Sequence, residues 1–356
     1  MDVMQVLRAA VDAKASDVII TAGAPVTLHV HGVLQPLDPT WILTPKEAED
    51  LTYQFLTSQQ RKIFENEREL DAAYQVPDLA RFRVSAYLQR GTVACVLRLV
   101  PLEIPTPEAI GLEQRVLMEM VNTNGGLILI TGPTGAGKST TIASYVEYLN
   151  AHHGIAKHII TIEDPIEFLF VNKKCVIDQR EIGFDTKSYV RGLKAALRQM
   201  PHVIFVGEMR DRETMEVALT AAETGNTVIS TLSTQSAAKS INRIIDVFPL
   251  EHQNEIRTRL SLTLKIVVSQ VLLQRVDTPG RVAAREIMFV SSPIANLIRE
   301  NKVHQVNNAI STSYGDGMRL MDDSLVDLNN QQIIGYGDVV TRVSDTEKLK
   351  RAKRRT

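Results

Sequence analysis

The stretch LILITGPTGAGKSTTIASYVEYLN, residues 127–150, decides the fold of this 356-residue chain. Its first five residues, LILIT, form an apolar run of strand length. The next eight, Gly132-Pro133-Thr134-Gly135-Ala136-Gly137-Lys138-Ser139, match the pattern G-x-x-x-x-G-K-[ST] at each fixed position. Residues 140–150 then place Ile142, Tyr145, Val146 and Leu149 on one helical face. A strand, a glycine-rich loop and a helix in this order predict a loop that binds nucleotide phosphates.

The residue types of this loop explain the predicted chemistry. Glycines let backbone amides turn inward around phosphate oxygens, and the N-terminus of the following helix adds partial positive charge. Lys138 is expected to reach the β and γ phosphates, and the Ser139 hydroxyl to ligate Mg²⁺. The predicted ATP-binding residues are therefore Gly132, Pro133, Thr134, Gly135, Ala136, Gly137, Lys138, Ser139 and Thr140.

Two carboxylates follow apolar strands elsewhere in the chain. Glu163 ends the run ITIE (160–163), and Glu208 lies just beyond VIFV (203–206). Ligands of open parallel sheets collect at the carboxyl ends of the strands, so we expect both acids beside the phosphate loop. Position favours Glu208 as the acid that holds the water shell of Mg²⁺, together with Ser139, and Glu163 as the general base.

The surrounding sequence alternates apolar strands with helices. Further buried-type strands are predicted at 158–162, 203–206 and 227–231, with helices at 190–199 and 212–224 between them. This alternation predicts an α/β fold with a mostly parallel sheet covered by helices on both faces. From about Leu250 onward the pattern favours a mostly helical C-terminal region.

The N-terminal part of the sequence has a different pattern of predicted strands and helices. Short period-two segments at 17–21, 27–30, 81–87 and 92–100 mix with helical patterns, which predicts an α+β domain. Residues 101–112, PLEIPTPEAIGL, contain three prolines and predict a stiff linker. We therefore expect an N-terminal domain at 1–100, a linker at 101–112, and an ATPase domain at 113–356 that ends in a helical region and a basic tail.

Composition limits the partners and the compartment. Hydrophobic residues make up 44% and charged residues 23%, and the net charge of -1 gives no global basic field for nucleic acid. Residues 347–356 hold six basic residues and one acid, so this tail is either a solvated end or an attachment to an acidic surface. Two cysteines and the lack of an apolar run of about 18–20 residues favour a cytoplasmic protein with only peripheral membrane association.

Several longer motifs resemble the secretion-type ATPase superfamily, and within it the type IV pilus retraction ATPases. TIEDPIE (161–167) is similar to the family's Asp box, and VGEMRDRET (206–214) to its atypical Walker B motif. NLIRENKV (296–303) resembles the C-terminal retraction motif. ASDVIITAG (15–23) and RFRVSAYLQRG (81–91) look like the PAS-like N-terminal domain. The resemblance runs from residue 1 to about 340.

This resemblance implies a RecA-like P-loop ATPase domain preceded by a smaller PAS-like domain. It implies a homohexameric motor, peripheral at the inner membrane, that hydrolyses ATP with Mg²⁺ and drives pilus retraction in twitching motility. ATP would lie between the two domains, with arginines of the N-terminal domain helping to close the site. The matching arginines are Arg81, Arg83 and Arg98. The implied partners are an inner-membrane pilus platform protein and a paralogous retraction ATPase.

The sequence departs from the family in two places. Ser233 occupies the histidine position of the family's T-L-H-T box, and Met200 and His202 replace two acids of L-R-x-D-P-D. A serine is shorter than histidine and cannot become a cation. We therefore expect a reduced rate of ATP hydrolysis, and two alternative functions for the chain stay open. One is a nucleotide-binding, weakly hydrolysing regulatory paralogue; the other is a pilus-assembly or type II secretion ATPase.

Overall fold

A computed structural model describes residues 2–30, 32–77, 79–100, 103–152, 154 and 156–352. The first two residues of the proline-rich stretch and the tail end at 353–356 lie outside the described residues. The chain divides into two compact units, residues 1–103 with 167–169, and residues 104–166 with 170–356. Each unit is described by itself.

The first unit is an antiparallel sheet with three helices. The strands are β1 (Asp17–Ile20), β2 (Thr27–Val30), β3 (Val33–Pro36), β4 (Glu69–Val76), β5 (Ala80–Gln89) and β6 (Thr92–Val100). Their order across the sheet is β3-β2-β1-β6-β5-β4. The helices are α1 (Val3–Asp12), α2 (Pro45–Gln54) and α3 (Ser58–Glu67). A capping box starts each of these helices: Asp2 pairs with Gln5 at α1, Thr44 with Glu47 at α2, and Thr57 with Gln60 at α3.

One face of this sheet is buried and the other is partly exposed. Along β5, residues 80, 82, 84 and 86 are buried while 81, 83, 85 and 87 are half-buried. The buried face packs with Leu7 of α1, Phe64 of α3 and Phe55, which directly follows α2. Alternation of this kind is typical of an antiparallel sheet that packs on one side only. Two of its strands, β3 and β4, were not predicted from the sequence.

The second unit is built on a seven-stranded sheet. Its strands are β7 (Gly126–Thr131), β8 (His158–Glu163), β9 (Val176–Glu181), β10 (Val203–Val206), β11 (Thr227–Leu232), β12 (Leu264–Gln274) and β13 (Arg281–Phe289). The order is β13-β12-β7-β11-β10-β8-β9, and only the β12–β13 pair is antiparallel. The predicted α/β, RecA-like fold is confirmed, with the loop-bearing strand β7 in the middle of a mostly parallel sheet.

Helices cover both faces of this sheet. The helices are α4 (Gln114–Asn122), α5 (Lys138–His152), α6 (Tyr189–Ala196), α7 (Arg212–Glu223), α8 (Ala237–Asp246), α9 (Gln253–Thr263), α10 (Ser292–Arg299), α11 (Val306–Thr312), α12 (Met321–Asn330), α13 (Tyr336–Arg342) and α14 (Thr346–Lys350). Ile128 and Ile130 of β7 pack with α4 and α5, whereas Leu127 and Leu129 pack on the opposite side, with α7 and α9. Burial on both faces leaves polar groups mainly at the ends of the central strands.

The expectation of a mostly helical region from about Leu250 is wrong in part. Residues 264–274 and 281–289 form the long strands β12 and β13. LKIVVSQVLLQ is a nearly continuous apolar run, which periodicity cannot assign to a buried strand or to a buried helix. Its β-branched residues Ile266, Val267 and Val268 are the signal that favours a strand.

Candidate active site

The phosphate loop leaves β7 through a tight passage beside β12. The amide of Gly132 donates to the Leu232 carbonyl at 3.1 Å, which extends the β7–β11 pairing by one residue. Gly132 has a φ of +143°, and a Cβ atom there would lie 2.2 Å from the backbone oxygen of Gln270. Only glycine fits this position, because real Cβ contacts are well over 3 Å. The first fixed glycine of the motif therefore has a steric cause.

Lys138 opens α5 and folds back over the loop. Its ammonium donates to the carbonyl oxygens of Gly132 at 2.8 Å and of Pro133 at 3.0 Å. Ser139 and Thr140 follow in the first helical turn and are half-buried. The structure thus places an ammonium, two hydroxyls and the N-terminus of a 15-residue helix in one short segment. All four features favour a bound anion.

Glu163 is the last residue of β8 and is 6% exposed. Its Oε1 accepts a hydrogen bond from the Thr161 hydroxyl at 2.6 Å, and the Gln179 amide lies at 3.4 Å from the same oxygen. The carboxylate is therefore oriented by a hydroxyl two residues earlier on its own strand. A buried and oriented carboxylate at a strand end is suited to accept a proton from water.

Glu208 lies two residues beyond the end of β10, which is the strand next to β8. The Gly207 amide donates to the Ile162 carbonyl at 2.8 Å, so the ends of these strands run side by side. One Glu208 oxygen accepts a hydrogen bond from Arg210 Nε at 2.7 Å. The structure thus brings Glu163 and Glu208 to adjacent strand ends. β11 alone separates β10 from β7, which corresponds to about 10 Å between those two strands.

Sequence reasoning missed Tyr189, the first residue of α6. A Cβ on Gly207 would lie 2.9 Å from the Tyr189 hydroxyl, so this ring packs directly on the end of β10. Burial raises the pKa of Tyr189, and the nearby carboxylates of Asp164, Glu208 and Glu163 raise it further. Tyr189 therefore stays protonated beside the acids. Sequence reasoning also missed Gln270 of β12, whose side chain donates a hydrogen bond to the Ala136 carbonyl of the loop.

The three predicted arginines lie on the half-exposed face of the first unit. Arg83 of β5 is directly opposite Arg98 of β6, and Arg81 is two residues along the same face of β5. Arg83 contacts Asp71 at 3.4 Å, and Arg98 Nε donates to Asp17 at 2.8 Å. The sheet therefore gathers the three guanidinium groups on one face, separate in sequence from the acids and the loop.

The residues at which the sequence departs from the family lie at opposite edges of the second unit's sheet. Ser233 lies at the carboxyl ends of the parallel strands, the edge that also carries Glu163 and Glu208, whereas Met200 and His202 lie at the amino ends. Ser233 directly follows β11 and is exposed. Met200 is 85% exposed and adopts a φ of +51°, in the left-handed region that a side chain of this type rarely occupies. Nothing in the structure explains a methionine there. His202 Nδ1 accepts a hydrogen bond from the His158 amide at 3.0 Å, so it joins β8 to the start of β10.

Two features are absent from the described residues. Within those residues, no group of three or more His, Cys, Asp and Glu side chains is arranged to hold a metal ion. No helix in the described part of the chain combines the length and apolarity that crossing a bilayer requires.

Comparison with known proteins places the chain in a family. A family model described as type II/IV secretion system protein matches residues 1–334. The chain is 44% identical over 325 residues to the type IV pilus retraction ATPase PilT of Pseudomonas aeruginosa, covering 90% of this chain and 92% of that protein. It is 37% identical over 350 residues to the type IV pilus ATPase PilU of the same organism, covering 98% and 91%.

A solved structure agrees with these relatives. The crystal structure of the pilus retraction motor PilT with bound ADP is similar with a TM-score of 0.91 and 42% identity, over 99% of both chains. The motifs at 132–139, 161–167 and 206–214 thus lie in a chain that is similar to that motor along its length. The chain belongs to the type II/IV secretion system protein family.

Proposed function

We propose that this chain is an ATPase motor that hydrolyses ATP at the loop 132–140 and drives type IV pilus retraction. One observation carries this proposal: the intact phosphate loop and two acids on adjacent strand ends occur in a chain similar throughout to a retraction motor. The N-terminal part, 1–100, is the PAS-like domain of this motor. Residues 101–112 are its linker, and 113–356 are its ATPase domain.

The loop residues bind the nucleotide in this proposal. The loop from Gly132 to Thr140 surrounds the phosphates with the backbone N–H groups that follow Pro133, and Lys138 exchanges its two loop carbonyl partners for phosphate oxygens. Gly135 fits this role because its φ is +79° and the space beside it is open. Binding a polyanion here is favourable because the helix terminus and the ammonium lie on the same side of the loop.

The donor set fits Mg²⁺, since Ser139 and Glu208 offer the hard oxygen ligands that this ion prefers. When bound, Mg²⁺ would neutralise charge on the phosphate oxygens. Glu208, which accepts a hydrogen bond from Arg210, would help to hold the water shell of the ion. Glu163 accepts the proton of the attacking water, and the Thr161 hydroxyl holds its carboxylate in place. Arg81, Arg83 and Arg98 supply the cations that stabilise charge developing on the transferred phosphoryl group.

The assembly follows from the family relationship. We propose a homohexamer in the cytoplasm, peripheral at the inner membrane, which acts on the platform protein of a pilus machine. Nucleic acid is not a partner in this proposal, because the net charge is -1.

Phosphate release and pilus retraction test the proposal together. Purified protein with Mg²⁺ and ATP should release phosphate, and Lys138→Ala should abolish the release because it removes the ammonium from the loop. The wild-type gene should restore twitching to a strain that lacks its retraction ATPase, and the Lys138→Ala gene should not. Wild-type protein that releases no more phosphate than Lys138→Ala contradicts the ATPase assignment. Phosphate release without restored twitching contradicts the retraction assignment.

A second candidate is a weakly hydrolysing regulatory partner of an active motor. Ser233 favours it, because this exposed position after β11 lacks the imidazole found in the family. Single-turnover hydrolysis by wild type and by Ser233→His distinguishes the two candidates. A gain of tenfold or more with histidine supports the regulatory partner, whereas an unchanged rate supports the motor.

A further inference from the structure

We propose that Gln270 is a positioning residue that fixes the phosphate-binding amides of the loop; this inference rests on the proposed nucleotide site. Gln270 lies on β12 next to the end of β7 and is 2% exposed. Its side-chain Nε2 donates to the carbonyl oxygen of Ala136 at 2.6 Å. Its Oε1 accepts a hydrogen bond from the Thr141 hydroxyl, in the first turn of α5, at 3.0 Å. One buried amide thus joins the loop to the helix that follows it.

The bond to Ala136 determines where the next amide points. A peptide unit is planar and trans, so the Ala136 carbonyl and the Gly137 N–H point in opposite directions. Because Gln270 draws the Ala136 carbonyl toward β12, the Gly137 N–H is directed away from the sheet. Gly137 is the second fixed glycine of the motif, and its amide is one that the motif uses to bind phosphate. Gln270 therefore sets this donor before any nucleotide arrives.

Thr141 determines the orientation of the Gln270 amide. With Nε2 toward the Ala136 carbonyl, Oε1 faces the Thr141 hydroxyl and both polar ends are satisfied. The opposite orientation would place two oxygens against each other at 2.6 Å, which is repulsive. A glutamine buried among apolar residues costs free energy unless both ends are bonded. The pair of bonds therefore selects one orientation.

The backbone of Gln270 constrains the other end of the loop. Its carbonyl oxygen fills the space beside Gly132, and its Nε2 lies 3.3 Å from where a Cβ on Gly137 would be. The loop therefore contacts this residue at its start and again near its end. A single position on β12 thus holds both ends of the loop, which a residue serving only the core would not need to do.

The test uses two variants and matched controls. Gln270→Met keeps the length and removes both hydrogen bonds, and Thr141→Val keeps the shape and removes the orienting hydroxyl. Thr141→Ser should restore that hydroxyl. Ser269→Ala is the control, because Ser269 is the neighbouring buried residue on β12 and its hydroxyl accepts from Thr131 at 2.7 Å, within the sheet. The measurements are the dissociation constant of ADP with Mg²⁺ and the melting temperature of each protein.

We expect ADP to bind about tenfold more weakly to Gln270→Met and to Thr141→Val, which is about what one hydrogen bond contributes. The double variant should bind no more weakly than Gln270→Met, because both substitutions break one unit. Thr141→Ser and Ser269→Ala should bind ADP like wild type. Thr141→Val tests the inference should Gln270→Met fail to fold.

Three results would overturn the inference. The first is wild-type ADP affinity in Thr141→Val, even with a lowered melting temperature, since Gln270 would then be only structural. The second is an equal loss in Ser269→Ala. The third is the absence of ADP binding by wild-type protein, which would also overturn the proposed function. The first two results leave the proposed function intact.

Discussion

The two sheets of this protein place charged residues by different rules. In the seven-stranded sheet, every residue of β7, β10 and β11 is buried, so polar chemistry is found where these strands end. In the six-stranded sheet, β5 alternates buried and half-buried residues, so its arginines lie within the strand on one face. A parallel sheet covered on both sides therefore concentrates its site at an edge, whereas a one-sided antiparallel sheet spreads charge over a surface.

Because the site lies at the strand ends, we expect the largest loss of activity from a change at Glu163, the acid that ends β8. Glu163→Gln keeps the hydrogen bond from Thr161 and removes the negative charge. A positioned general base contributes about 10²- to 10⁴-fold, so kcat for ATP should fall by that factor. Binding of ADP should change little because Glu163 does not belong to the loop.

Steady-state hydrolysis and ADP titration measure these two quantities separately. Glu167→Gln, a change at a nearby acid outside the strand, serves as the control and should keep most of the activity. A Glu163→Gln variant that hydrolyses ATP at the wild-type rate would remove this residue from the proposed mechanism.

Gly132→Ala tests whether the start of the loop has room for a side chain beside Gln270. The new Cβ would meet the Gln270 carbonyl at 2.2 Å, so the loop must move by an ångström or more. Such a displacement breaks more than one hydrogen bond to the phosphates, at about 1–1.5 kcal/mol each, so we expect ADP to bind about 10²-fold more weakly. Gly183→Ala is the matched control, because Gly183 also has a positive φ, +87°, but has open space around it. Equal ADP binding by both variants would contradict the steric argument.

The sequence alone revealed the site residues that directly follow an apolar strand, but not those that reach the site from distant parts of the chain. The loop, Glu163 and Glu208 are each adjacent in sequence to an apolar strand, so local pattern was enough to select them. Gln270 lies 134 residues from Ala136 and meets it only because β12 pairs with β7. Tyr189 reaches the end of β10 in the same indirect way. Neither contact leaves a local signal, because both depend on strand order.

Prediction of the strands from the sequence had a similar limit. β3 was missed because all four of its residues are exposed and no alternation marks it. β12 and β13 were missed because a buried run carries no period. The arginines were selected by resemblance, and their common face became visible only once the register placed Arg83 opposite Arg98.

Substitutions on the sheet face that carries Arg81, Arg83 and Arg98 should change the rate of ATP hydrolysis more than the stability of the fold. Arg83→Gln and Arg98→Gln should each lower the free energy of unfolding by less than about 1 kcal/mol, because their ion pairs are solvent-exposed. Arg81→Gln completes the set of three variants. At least one of the three should lower kcat by tenfold or more, since a guanidinium group stabilises developing phosphoryl charge. Urea unfolding and steady-state hydrolysis measure the two effects. Wild-type kcat in all three variants would exclude this face from catalysis.

Glu286 is an exception to the strand-end rule, and it carries the smallest predicted effect. It lies within β13 and is 4% exposed, where its carboxylate accepts from the Ala237 amide at 2.7 Å and the Met321 amide at 3.4 Å. Burial raises its pKa, Asp322 adds to the rise, and both backbone hydrogen bonds and Lys348 oppose it. The folded protein therefore holds this proton more tightly than the unfolded chain does.

Glu286 consequently stabilises the fold less as pH rises. Below the ordinary glutamate pKa the group is protonated in both states, and stability is lost as pH rises from there through the raised folded value. Glu286→Gln keeps an oxygen acceptor and removes this loss, so its melting temperature relative to wild type should rise by about a few degrees between pH 4 and pH 8. Glu300→Gln is the opposite control, because the hydrogen bond from Lys302 lowers the pKa of Glu300 and should make its carboxylate stabilising at high pH. If the melting temperature of Glu286→Gln relative to wild type instead falls as pH rises, then the two helix amides, and not burial, control the pKa of this carboxylate.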